Sequence, residues 1–273
     1  MMARQPMDLF PMTDLVEWIA AHALPLWAAL LVLACLAGDA AWQWNRRQRD
    51  SALVQGHAPV VMRTRTAMAL LLAAALLFAA IALALGVEAR SGLPGFDAAL
   101  AEDLRQHMQP SVLRVVAAVS HLGDLGSVAA FTVLVLAALL VRRQRQLATC
   151  WTIAMAGVVP LNIGLKALFQ RPRPLHDHGY IVEHGWSFPS GHAFGAMVFY
   201  GMLAYVLLRL LPHRWHRLVI AAAVAMVTLI GLSRIVLQVH YFSDVMAGYA
   251  SGLVWLVLCI AGAESWRQRP RVS

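Results

Sequence analysis

Long apolar runs alternate with short polar connections along the whole chain. The runs fall near residues 16–38, 66–87, 115–141, 147–165, 193–211, 218–238 and 245–263. A helix needs roughly 20 apolar residues to cross hydrocarbon with its backbone hydrogen bonds closed internally, and these runs approach or exceed that length. The pattern predicts an all-α, polytopic transmembrane helix bundle. Six spans form a core over residues 66–263, preceded by a segment (1–65) with one extra span and a basic loop, and followed by a tail (264–273). The second run is the clearest, since no charge falls between Thr66 and Val87. His22 and Pro25 interrupt the first, which leaves open a segment lying partly in the interface. Around Phe96 to Met108, apolar residues mix with Asp97, Glu102, Asp103 and Arg105 at helical spacing, as in an amphipathic or ordinary surface helix.

Arginine placement orients the bundle, because basic residues are retained in cytoplasmic connections. Arg46, Arg47, Arg49, Arg63 and Arg65 lie between the first two runs; Arg142, Arg143 and Arg145, then Arg209, Arg214 and Arg217, then Arg267, Arg269 and Arg271 follow at every second connection. Alternating topology requires that spacing, and it places the N-terminus outside and the C-terminus inside an inner membrane. Near the N-terminus, Arg4 stands against Asp8, Asp14 and Glu17, the wrong balance for a cleaved signal.

Composition agrees: 60% of residues are hydrophobic and 13% charged, against about 45–50% and about 25% in soluble domains. The net charge of +8 is dispersed in short clusters rather than along one face, so no nucleic-acid partner is expected. Cys35, Cys150 and Cys259 lie in separate apolar runs, with neither disulfide nor zinc spacing.

Three polar clusters cap different spans on the outer side: Lys166 to Pro174, Pro189-Ser190-Gly191-His192, and Ser233-Arg234 with His240 and Asp244. Antiparallel neighbours bring these ends together across nearly 80 positions. Lys166 is the chain's only lysine. With Arg173 and Arg234 it can surround a tetrahedral oxyanion, although any one of them alone is equally a snorkelling interfacial residue. His240 and Asp244 are four apart, so on a helix they share a face and the carboxylate fixes the imidazole tautomer; a helix cap beside an interfacial histidine is the plainer reading. Ser190 and the Gly191 amide, at a span's N-terminus, favour an anion. His192 there can protonate a leaving oxygen. His121 and Asp124 read as pocket wall, Arg171 as either a phosphate contact or a lip residue, and Gly248 and Gly252 as a helix-packing pair. The spacing of His176, Asp177, His178, Glu183 and His184 supports no ligand geometry, so no metal is expected.

K-x6-R-P at Lys166–Pro174, P-S-G-H at Pro189–His192 and S-R-x5-H-x3-D at Ser233–Asp244 resemble the three signatures of the type 2 phosphatidic acid phosphatase superfamily. That resemblance covers roughly residues 66–263. It implies a metal-independent, cofactor-free hydrolase of membrane lipid phosphates or diphosphates, such as undecaprenyl diphosphate, phosphatidate, phosphatidylglycerol phosphate or lipid A phosphates. By the same resemblance, His240 forms a phosphohistidine, Asp244 orients it and His192 supplies the acid, while Lys166, Arg173, Ser190, Gly191 and Arg234 bind phosphate. Two alternatives stay open: a phosphotransferase passing the phosphate to another lipid, and a non-catalytic anion transporter. The transporter is disfavoured by spans nearly free of charge between their ends. The oligomeric state is not legible.

Overall fold

The computed structural model describes residues 10–54, 60–86, 92–175, 179–181 and 183–268. Arg4, Asp8, His176, Asp177, His178, Arg269 and Arg271 lie outside the described residues. The described chain is helical: α1 (Phe10–Ala21), α2 (Ala23–Val54), α3 (Thr64–Leu85), α4 (Leu93–His107), α5 (Pro110–Ser120), α6 (Leu125–Val141), α7 (Arg145–Phe169), α8 (Gly191–Leu210), α9 (His216–Val236) and α10 (Phe242–Gln268). Among the described residues, α2, α3, α7, α8, α9 and α10 are each long and apolar enough to span a bilayer, and α5 with α6 makes a seventh, bent span.

Two of the apolar runs are broken. Pro25 lacks the N–H that would bond the Ala21 carbonyl, so the first run divides at His22 into α1 and α2. The third bends by 43° at a single turn, His121–Gly123, between α5 and α6. A third difference is the basic loop. With no glycine or proline after Gly38 until Gly56, α2 continues to Val54 and carries Arg46, Arg47 and Arg49 on its last turns. α4 is present as expected, but it packs against α1 and touches α3, α9 and α10 rather than lying apart on a surface.

α8 is the centre of the bundle, with α7, α9 and α10 around it; α3 closes α10's other side and α2 lies along α9. Leu72, Leu76 and Leu83 on α3 and Val133, Leu134 and Val141 on α6 face outward, as hydrocarbon-facing positions should. Backbone approaches backbone closely where α8 packs on α10. A methyl at Gly248 would stand 2.7 Å from the Ser190 carbonyl oxygen, and one at Gly252 would stand 2.9 Å from that of Phe194. The glycine pair therefore packs helices and seats the Pro189–His192 segment. Gly248→Ala is expected to cost about 1–3 kcal/mol, as overpacking does, read as a lower thermal midpoint in detergent. An unchanged midpoint would contradict this close approach.

Candidate active site

All the candidate residues gather at one end of the bundle, delivered by two left-handed turns. Gln170, at φ +46°, ends α7 after its N–H bonds the Lys166 carbonyl, a conformation that costs an L-residue roughly 1–2 kcal/mol. It redirects the chain so that Arg171 and Arg173 run back over α10. Gln238, at φ +50°, does the same after α9. The Val239 and His240 amides then bond the Arg234 carbonyl at 3.2 and 3.3 Å, which folds His240 back over Arg234.

His240 therefore sits in the turn before α10, not on the helix. It is 2% exposed. Its Nε2 lies 3.1 Å from Arg173 Nη1. A guanidinium can only donate, so Nε2 carries the lone pair and Nδ1 the proton. Nδ1 reaches Ser187 Oγ at 3.2 Å, and Ser187 Oγ donates to Asp244 Oδ2 at 2.5 Å. The direct Nδ1 to Asp244 separation is 3.5 Å, so Ser187 relays the orientation expected of Asp244 alone. Burial first, and then the charges of Arg173, Arg234 and Lys166, hold the His240 pKa well below its usual value. The imidazole is thus neutral at neutral pH, with Nε2 aimed at the cationic cluster. Folding stability contributed by this neutral form is present above the unfolded histidine pKa and is lost as pH falls below about 6.5.

Behind Asp244 stands a buried carboxylate that was read as part of a surface helix. Arg171 Nη1 donates to Asp244 Oδ1 at 2.7 Å and to Ser243 Oγ at 2.8 Å, while Nη2 donates to Asp97 Oδ2 at 2.8 Å. Asp97 also accepts from the Ser243 amide at 3.1 Å and from the Ser243 hydroxyl. The Arg171 guanidinium stacks over Tyr241 at 4.1 Å. Arg171 is thus neither a lip residue nor a phosphate contact; it joins two fully buried carboxylates. Burial raises the Asp97 pKa, and the Ser243 and Arg171 hydrogen bonds oppose the rise without cancelling it. A signal for Asp97 was in the sequence, since it shares one helical face with Leu100 and Leu104, the other buried residues of α4.

On the opposite wall, His192 Nε2 donates to Asp124 Oδ1 at 2.8 Å, and His121 Nδ1 donates to Asp124 Oδ2 at 2.6 Å. His192 Nδ1 is left facing Glu183, 3.8 Å away. Ser190 caps α8, its hydroxyl accepting from the Ala193 amide at 3.4 Å, and its own amide bonds the Asp244 carbonyl at 2.9 Å. Gly191 lies close to α7, where a methyl would stand 3.0 Å from Asn162 Oδ1. Lys166 Nζ donates to the Trp186 carbonyl at 2.7 Å.

Glu183, grouped in the sequence with metal candidates, lies instead among the cations. It accepts from Arg234 Nη2, stands 3.7 Å from Arg173 Nη2, and faces His192. Burial pushes its carboxyl up, and the charges of Arg234, His192 and Arg173 more than offset this, holding it below the usual carboxylate value. Arg234 is fully buried. It donates to Ser120 Oγ at 2.6 Å, while its Nε has no hydrogen-bond partner among the described residues. His192 of α8, Arg234 of α9 and Arg173 of the connection from α7 to α8 thus converge on one anion.

Residues 145–267 match the model of the PAP2 superfamily, a segment that holds the three motifs but begins after Asp97 and Asp124. Over 155 residues the chain is 32% identical to phosphatidylglycerophosphatase B of Bacillus subtilis (strain 168), a match covering 55% of this chain and 74% of that protein. The crystal structure of a transmembrane PAP2-type phosphatidylglycerolphosphate phosphatase from Bacillus subtilis superposes with a TM-score of 0.67 at 26% identity, covering 74% of this chain and 98% of that one. The buried histidine, its carboxylate support and the arginines around one anion therefore belong to a membrane phosphatase of the type 2 phosphatidic acid phosphatase kind, and this chain is a member of the PAP2 superfamily.

Proposed function

We propose that the chain hydrolyses a lipid phosphate or diphosphate through a phosphohistidine on His240, at the extracytoplasmic edge of an inner membrane. The observation that carries this reading is the Glu183 carboxylate, held by Arg234 with Arg173 and His192 within 4 Å. A phosphoryl group entering the same place gains bidentate guanidinium donors, and Lys166 lies close enough for its charge to act on Arg173 and Glu183. His240 Nε2 attacks phosphorus, the ester or anhydride P–O bond breaks, and imidazolium His192 gives its Nδ1 proton to the leaving oxygen. Water then attacks the phosphohistidine, the P–N bond breaks, and His192 takes the water's proton. None of these steps uses a metal ion.

Sidedness rests on charge. Arg145, Arg209, Arg217 and Arg267 lie at the helix ends opposite Lys166, His192, Arg234 and Asp244, and the basic end is retained in the cytoplasm. Among substrates, phosphatidylglycerol phosphate leads, because both relatives are named for it; phosphatidate and undecaprenyl diphosphate follow. Purified protein given a panel of these lipids should release one free phosphate per bond broken. Substrate consumed with near-zero free phosphate would overturn hydrolysis in favour of transfer to a lipid. His192→Ala is expected to lower kcat by about 100-fold to 10,000-fold, the range for general acid catalysis, with KM changed far less. An unaltered kcat would remove His192 from the acid role.

A further inference from the structure

At the end of the bundle opposite His240, a cavity of about 450 Å³ opens between the last turns of α2 and the connection from α8 to α9. Four arginines line it, Arg46 and Arg49 from α2 and Arg214 and Arg217 from the connection and α9, with Asp50 the only carboxylate on its wall. We propose that this cavity binds the phosphate of an anionic phospholipid as a second, non-substrate lipid site.

The charges on its wall are unequally satisfied. Asp39 holds Arg217 through two bonds of 2.7 and 2.8 Å, and Asp50 stands 3.7 Å from Arg46. Arg49 and Arg214 form no ion pair among the described residues, and the Arg49 Nε is buried without a hydrogen-bond partner. Topology signalling needs positive charge in a connection, but it does not need guanidiniums converging on a cavity or one of them partly buried. That buried position is built: the Arg49 guanidinium lies 5.7 Å from the Trp42 ring centre, and Trp42 packs edge-on against His216 at 5.6 Å. Two guanidinium forks without an ion-pair partner among the described residues, on facing elements, match the oxygens of one phosphate.

Depth identifies the source of that phosphate. Trp44, Trp215 and Trp266 are all about half-exposed at this same end, where tryptophan marks the headgroup level. Leu33 and Leu36, six to nine residues before Trp42 on α2, are exposed toward the bilayer and give acyl chains a surface. Basic pockets between helices at this level take anionic lipid headgroups. The site is separate from the catalytic one, since the 21 residues of α9 set about 30 Å between its ends.

Native mass spectrometry of the full chain decides the proposal. The protein carries His240→Ala to prevent turnover and is exchanged into phosphatidylcholine before phosphatidylglycerol is added. The chain should retain phosphatidylglycerol, while Arg49→Gln/Arg214→Gln should retain about tenfold less. The surface pair Arg142→Gln/Arg143→Gln, at the same end but outside the cavity, should retain as much as the parent. Equal retention in all three proteins, or equal loss in both variants, overturns the proposal. Arg214→Gln alone, in an exposed turn, serves should the double variant fail to fold, with about threefold less retention expected. Displacement of the lipid by millimolar inorganic phosphate would assign the cavity to free phosphate and also overturn it.

Discussion

His240→Ala will reduce phosphate release from any accepted lipid by about 10,000-fold or more, the scale on which loss of a covalent nucleophile acts in concerted sites. The size follows from geometry. Nε2 carries the lone pair and faces the cations, whereas His192, bound to Asp124 through Nε2, presents toward Glu183 only the Nδ1 that the proposed mechanism holds protonated. The alanine protein should also fail to acquire acid-labile phosphate when quenched during turnover, whereas the parent acquires it. His240 fills buried space, so His240→Gln, which keeps most of the volume, is measured beside it. Turnover above about 1% of the parent in both folded variants would overturn nucleophilic attack by this residue.

Arg171→Leu has the second largest expected effect, and it acts on fold and chemistry together. Asp97 and Asp244 are each fully buried, and Arg171 bonds both. Removing one partner of a buried ionic cluster costs about 3–5 kcal/mol, because the charges left behind are uncompensated. Here two carboxylates would remain, one of which must take a proton. Protonation of Asp244 weakens the Ser187 relay and withdraws the negative charge that stabilises His240 as it turns cationic. We expect a large loss of thermal stability and at least about 100-fold lower kcat. Asp97→Asn, which keeps the shape and removes only one charge, should lower both by less. If Arg171→Leu leaves stability unchanged, the three groups do not form the cluster described.

The three motifs were legible because each holds its chemistry within a dozen positions at fixed spacing, and because helix ends spaced by spans must alternate sides. The role of Ser187 was not, since a serine bridging His240 and Asp244 is a tertiary coincidence of two turns; only its position two residues before Pro189 hinted at it. Asp97 carries a weaker signal, a carboxylate on the apolar face of α4. His22 and Pro25 marked the break in the first run, whereas the bend at His121–Gly123 was hidden by hydropathy, which counts apolar residues without registering a short turn. His240 was placed on a helix that in fact starts at Phe242. The contact with Asp244 survives because Tyr241, whose amide bonds Asp244 Oδ2 at 2.9 Å, turns the chain just before that start.

Glu183 gives the resting enzyme a built-in counter-ion. Arg234, Arg173 and His192 face it, so the cage does not have to hold like charges together unaided. On the function proposed above, arrival of a phosphate is an exchange of one anion for another, and the ease of moving Glu183 aside enters every ligand's apparent affinity as the same dividing factor. Substrate, inorganic phosphate and any oxyanion mimic share that handicap equally, so Glu183 governs how full the enzyme is at a given concentration without deciding between them.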